Sequence, residues 1–283
     1  MANFTSLRCR SAVVALMGLW AFLPGAGGQT PPNAVSGTTI SVHSGRPIAD
    51  VLDQLQAKFL SQITYEEVGY ENDADLTTRV TVILKGGPKL MVGPPVSNFS
   101  VTFGTTDSTP YMAALTVVSA YTSAGLPGVY KVVQQSGRVD FIPTQVLGAN
   151  GSMLSVQPLM STPITLPLAT RGVLDTLTAM TDQISAQSGK KVLLLSAPFW
   201  EKQTIELAAA AEPAADVISD IGNAFKVPLS FRCLYDVTNK TYYLSVQAVT
   251  APNPPGGPAK HGPVMQLPQT SGPNSPYFIK TTP

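Results

Sequence analysis

Residues 47–59 place Ile48, Val51, Leu52, Leu55 and Phe59 at intervals of three and four, so one face of an α-helix is written for burial, and Pro47 stands where such a helix opens. On either side the apolar period falls to two, and "TTISV" (38–42), "ITYEEV" (63–68) and "NFSVTF" (98–103) are expected as strands. Pro110 opens a second helix with Ala114, Leu115, Val118 and Tyr121 on one face, and Gly125 ends it. "GVYKVVQQ" (128–135), the turn Ser136-Gly137 and "RVDFIP" (138–143) then read as a closing hairpin.

The second half of the chain repeats that order. "PITLP" (163–167) precedes a helix over 171–187 carrying Val173, Leu174, Leu177, Met180 and Ile184, with Gly189 behind it. "KVLLL" (191–195) and "QTIEL" (203–207) follow as strands, and Pro213 opens a helix with Val217, Ile218, Ile221 and Phe225 inward. "VPLSFRC" (227–233) and "TYYLSV" (241–246) close the half as a hairpin. Both halves read β-α-β-β-α-β-β, and Pro110 matches Pro213 as Pro127 matches Pro228, which argues for an internal duplication.

The expected fold is therefore α+β, with two small modules in tandem at 36–147 and 162–250, each setting two helices against short sheets. The weakly patterned stretch 148–161 reads as a linker. The first module carries an insertion, 69–96, in which "TRVTVIL" (78–84) and "KGGPKLMVGPP" (85–95) suit an extra hairpin or edge strand. The second spans the same interval with "SAPFWEK" (196–202).

The pattern "IADVLDQLQAKFLSQITYE" in the first half, and "AADVISDIGNAFKVPLSFR" followed by a hairpin in the second, resembles the short periplasmic domain at the N-terminus of secretins and TonB-dependent receptors. The resemblance covers most of 38–147 and 162–249. It implies a non-enzymatic cell-envelope module that binds a partner such as an outer-membrane barrel or a secretion component. Members of that family usually continue into a membrane barrel, whereas this chain continues into a proline-rich stretch.

The ends of the chain set the expected compartment. Arg8 and Arg10, the apolar run Ala12–Leu23 and the small residues Ala26-Gly27-Gly28 form a secretory signal at 1–28, with cleavage before Gln29. Export to the periplasm or the outer-membrane periphery follows, and a peripheral membrane association is compatible with it. From Ala251 to Pro283 nine prolines and four glycines leave little apolar periodicity, so 251–283 reads as a disordered tail.

Removal of the signal reduces 18 basic residues to 16 against 17 acidic ones, a balance that does not steer the protein toward nucleic acid. Cys9 leaves with the signal. Cys233 then remains as the one thiol, alternating with Leu229 and Phe231 on a strand, so it is expected as a small buried hydrophobe without a disulfide.

Histidine and cysteine are too sparse for the common hydrolytic and metal chemistries. His43 sits in the first strand and His261 in the tail, so neither stands beside a nucleophile, and zinc lacks its three or four ligands. "EEVGYENDAD" (66–75) gathers Glu66, Glu67, Glu71, Asp73 and Asp75 without the order of a calcium loop, and reads as a solvated acidic loop. "KGGPK" (85–89) has a proline, Pro88, where a phosphate cradle needs an N–H donor. No cofactor is expected.

Three functions stay open. The first is a partner-binding envelope module, with Tyr70, Val82, Leu84, Met91, Phe199 and Trp200 as candidate contacts in the insertion and its counterpart loop. The second is a secreted hydrolase using carboxylates such as Glu66 or Asp73 in a pocket between the modules. The third is an adaptor that associates with itself or with a separately encoded barrel.

Overall fold

Residues 37–249, apart from 77, 85–86 and 196–201, are described in a computed structural model. The expected signal and tail, and the aromatic pair Phe199-Trp200, lie outside the described residues. The fold is mixed α+β, with four helices and several sheets among the described residues.

The helices begin and end where local chemistry directs. Helix α1 (Pro47–Phe59) has proline in its first turn and stops at Leu60, whose backbone is left-handed at φ 50° and whose N–H donates to Gln56 O. Helix α2 (Pro110–Ser123) is capped by Thr109, whose hydroxyl accepts from Met112 N–H at 3.2 Å. Helix α3 (Val173–Ser188) ends at Gly189, left-handed at φ 68°, a conformation that glycine adopts without strain. Helix α4 (Ala214–Phe225) begins just after Pro213.

In α1 the expected residues Ile48, Val51, Leu52 and Leu55 are buried, each gaining about 1.5–3 kcal/mol by leaving water. In α2 the buried face is Ala113, Ala114, Val117 and Tyr121, turned from the expected one so that Leu115 is 37% exposed. That helix is apolar nearly all round, so its sequence carries little contrast to set the phase.

The strands pair in two matching sets. In the first half, β1 (Thr38–Ser44) lies antiparallel to β5 (Ser97–Phe103), while β2 (Gln62–Glu66) runs parallel to β7 (Arg138–Leu147), which turns back antiparallel to β6 (Val129–Gln135). The insertion supplies a hairpin of β3 (Thr78–Leu84) and β4 (Gly87–Gly93). In the second half, β9 (Pro163–Gly172) lies antiparallel to β11 (Thr204–Pro213), while β10 (Lys191–Leu194) runs parallel to β13 (Thr241–Ala248), which is antiparallel to β12 (Leu229–Asp236).

The halves then join. Strand β12 lies parallel beside β2, giving the order β10-β13-β12-β2-β7-β6, and β8 (Met153–Ser155) pairs with β7. Alternation along these strands sends Ile63, Tyr65, Val139 and Phe141 to a core with α1 and α2, whereas Phe231, Cys233, Tyr242 and Leu244 enter a second core with α3 and α4. Arg232, next to Phe231, reaches Asp53 on α1, and Arg138, next to Val139, reaches Ala215 and Ser219 on α4. The two helix pairs therefore cover opposite faces of one continuous sheet.

The stretch expected as a linker, 148–161, is packed into this arrangement. It contributes β8 and a 3₁₀ turn, Leu159–Ser161, whose Leu159 and Met160 side chains are buried in the second core.

Candidate functional site

The seam between β12 and β2 carries a dense set of buried polar contacts. Arg232 stands opposite Tyr65 and Cys233 opposite Glu66, and Glu67 N–H donates to Cys233 O at 2.8 Å. The Glu67 carboxylate is fully buried. It accepts from Arg46 Nε at 3.0 and 3.1 Å, from Tyr70 Oη at 3.0 Å and from Tyr235 N–H at 2.7 Å, so both oxygens are engaged. Arg46 also donates to Tyr235 O at 2.7 Å, which ties the loop before α1 to the distal hairpin. Arg232 donates to Ile63 O at 2.6 Å and to Asp53 at 2.8 Å.

The opposite face of the same strands carries a second cluster. Both Glu66 oxygens accept backbone N–H groups of the 3₁₀ turn, from Leu159 at 2.6 Å and from Met160 at 3.0 Å. Burial pushes the Glu66 carboxyl up to about 7, against the pull of those two hydrogen bonds. Asp140 accepts from Thr64 at 2.5 Å and from Arg138 at 2.6 Å, while Arg138 also donates to Asp216 at 3.0 Å and to Ala215 O at 2.8 Å. These groups border a groove of about 270 Å³ that Lys131, Pro158 and Phe231 also line.

Glu66 and Glu67, expected in a solvated acidic loop, are instead buried at the junction of the halves. Their position directly after the alternating "ITY" of β2 is the signal that the strand, with its burial, continues into the acids. Glu66 lines the groove between the halves, as the carboxylate reading requires, but its oxygens are committed to holding a backbone turn.

At its two ends the sheet is open. Among the described residues β10 pairs with β13 alone and β6 with β7 alone. Leu193 on β10 is 38% exposed, and Lys131, Gln134 and Gln135 on β6 are exposed. Leu195 N–H donates inward to Leu244 O, so by the alternation of a parallel ladder the N–H of Leu194 points outward.

The candidate contacts fall in different places. Tyr70 is 6% exposed and touches this chain's own second half, stacking obliquely on Tyr235 at 6.4 Å between ring centroids. Val82 and Leu84 lie on β3 opposite Lys89 and Gly87, and Met91 lies on β4 opposite Val80. Phe199 and Trp200 are outside the described residues. His43 bonds across the ladder to Asn98 at 2.7 Å, and Cys233 is buried in the second core. Among the described residues no group of three or more His, Cys, Asp or Glu is placed to hold a metal ion, and no helix is long and apolar enough to cross a membrane.

No family model matches this chain, and no curated protein or solved structure matches it significantly.

Proposed function

We propose that this chain is a non-catalytic, exported adaptor built from two tandem copies of a small β-α-β-β-α-β-β module, and that it works by strand pairing at the open edges of its sheet. The observation that carries the reading is the seam itself: β12 is added to the edge of β2, although the two strands are far apart in sequence. Edge addition is thus a contact these strands already make, and β6 and β10 leave the same kind of edge unpaired.

Two further features support it. Outside the insertion hairpin and β8, three strand pairings of the first half, β1–β5, β2–β7 and β6–β7, have counterparts in the second in β9–β11, β10–β13 and β12–β13. The buried acids Glu66 and Glu67 have both oxygens occupied by donors that hold the fold, and Asp140 Oδ1 takes Thr64 and Arg138 together, so these groups serve the fold and are poorly suited to acid–base work. The signal-like segment 1–28 and the resemblance to secretin and TonB-receptor N-terminal domains support a reading in which the adaptor works in the cell envelope and takes an outer-membrane barrel or secretion component as a partner.

The test is affinity capture from a crosslinked envelope extract with the wild type and with Leu194→Pro and Gln134→Pro, each of which removes an edge N–H. Retained fold with lost capture supports edge pairing. Capture that survives both prolines sinks it.

A further inference from the structure

The strand registers allow the two halves to be matched residue by residue, and the match extends to the charges at the seam. In the first half Ile63 pairs with Val139, and in the second Val192 pairs with Tyr242, so β10 takes the place of β2. Across the hairpins Val132 pairs with Phe141 and Cys233 with Leu244, so β6 takes the place of β12 and Lys131 holds the position of Arg232. The helix caps agree with this alignment, since Gly189 precedes Val192 as Leu60 precedes Ile63. Counting back equally, Asp182 on α3 stands where Asp53 stands on α1.

The ion pair that spans the internal seam, Arg232 to Asp53 at 2.8 Å, therefore has both of its members reproduced on the open edges. Lys131 lies on β6 at one end of the sheet and Asp182 flanks β10 at the other. Both are exposed, and neither takes part in a salt bridge among the described residues.

We infer that the partner of each open edge is a second copy of this chain: β6 of one molecule adds parallel to β10 of the next, with Lys131 opposite Leu194 and its ammonium directed at Asp182. This rests on the edge-pairing reading above and names the occupant. The geometry is that of the internal seam, where Arg232 stands opposite Tyr65 and Cys233 opposite Glu66. In that register the half-buried Val132 would stand opposite Leu195 and diagonally beside Leu193, whose exposed part would be covered.

Because the two edges differ, the contact is head-to-tail. Each addition leaves a fresh β6 and a fresh β10, so the product is a ring or a filament and not a closed two-fold dimer. The internal seam has an additional anchor in Glu67, Arg46 and Tyr235, and Gln134 holds the place of Tyr235 on β6. Without that anchor the intermolecular contact is weaker than the internal one, and assembly depends on concentration.

The experiment is sedimentation velocity of the purified full chain from about 1 µM to about 300 µM at low salt, where an association of micromolar strength becomes visible. The wild type is expected to form a concentration-dependent series beyond the dimer. Lys131→Glu alone and Asp182→Lys alone each weaken assembly about tenfold by placing like charges together, and an equimolar mixture of the two variants restores it because opposite charges meet at every junction. Both positions are exposed, so unfolding midpoints should match the wild type.

A chain that stays monomeric throughout overturns the inference, as does an assembly indifferent to both reversals or one that stops at a dimer. Monomeric behaviour together with proline-sensitive capture of another envelope protein would remove self-pairing and leave the edge reading standing. Monomeric behaviour with capture unaffected by the prolines would remove both.

Discussion

Arg232 and Asp53 meet at 2.8 Å across the seam, joining the hairpin of the second half to the first helix of the first half. The two partners are unequally placed, since the Arg232 side chain is 7% exposed and that of Asp53 is 54% exposed. Arg232 also donates to Ile63 O, at 2.6 Å within the sheet.

The two truncations should therefore differ. Asp53→Ala removes an exposed partner and is expected to cost at most about 1 kcal/mol. Arg232→Ala strips a buried carbonyl of its charged donor and leaves a gap in the sheet, at a cost of about 2–4 kcal/mol. Urea unfolding of both variants checks the order, and equal costs would place the energy of the contact in the ion pair alone.

Glu67 is the point through which the seam is held, because one carboxylate serves Arg46, Tyr70 and the Tyr235 N–H. Glu67→Ala leaves three donors without an acceptor and is expected to destabilise the protein by about 3–5 kcal/mol. Hydrogen exchange should show protection lost first at β12 and β2, the strands the carboxylate ties together. Uniform loss across the sheet would mean that the halves do not separate as units.

The elements written in local pattern were legible in the sequence: α1 follows from Pro47 and its apolar spacing, and the hairpin of the insertion follows from "TRVTVIL" and its glycine-rich turn. The phase of α2 was not, because Leu115 and Val117 are equally apolar and tertiary packing alone selects between them. The seam was not legible either, since a parallel pairing of 62–66 with 229–236 has no turn or spacing to announce it. In hindsight the signals are charges in the middle of apolar strands, Glu66 and Glu67 after "ITY" and Arg232 within "SFRCL", since such charges sit there only when paired.

Leu60 and Gly189 close corresponding helices in the same left-handed backbone, at φ 50° and 68°. Leucine is strained there and glycine is not. Leu60→Gly is expected to stabilise the protein by about 0.5–1 kcal/mol, since the 51% exposed leucine side chain contributes little packing. Gly189→Ala should cost about 1 kcal/mol. Thermal unfolding checks both signs, and a destabilised Leu60→Gly would show that the leucine packs usefully despite its exposure.

Glu66 makes stability depend on pH in a direction opposite to that of a carboxylate held ionised by a salt bridge. Its carboxyl is pushed from the usual 4.5 up to about 7 by burial, so between those values the folded protein binds a proton that the unfolded chain has released. Stability from this group is accordingly fully present below about pH 4.5 and is lost as pH rises through about 7. Glu66→Gln abolishes the slope, because an amide does not titrate, and lowers stability throughout by about 1–3 kcal/mol, because its nitrogen cannot accept one of the Leu159 and Met160 N–H bonds. The difference in unfolding free energy between variant and wild type, measured at pH 5 and again at pH 8, isolates the group from every other titration. The variant should be penalised more at pH 5 than at pH 8, and an equal penalty at both would mean that Glu66 stays ionised in the fold, its two backbone donors outweighing its burial.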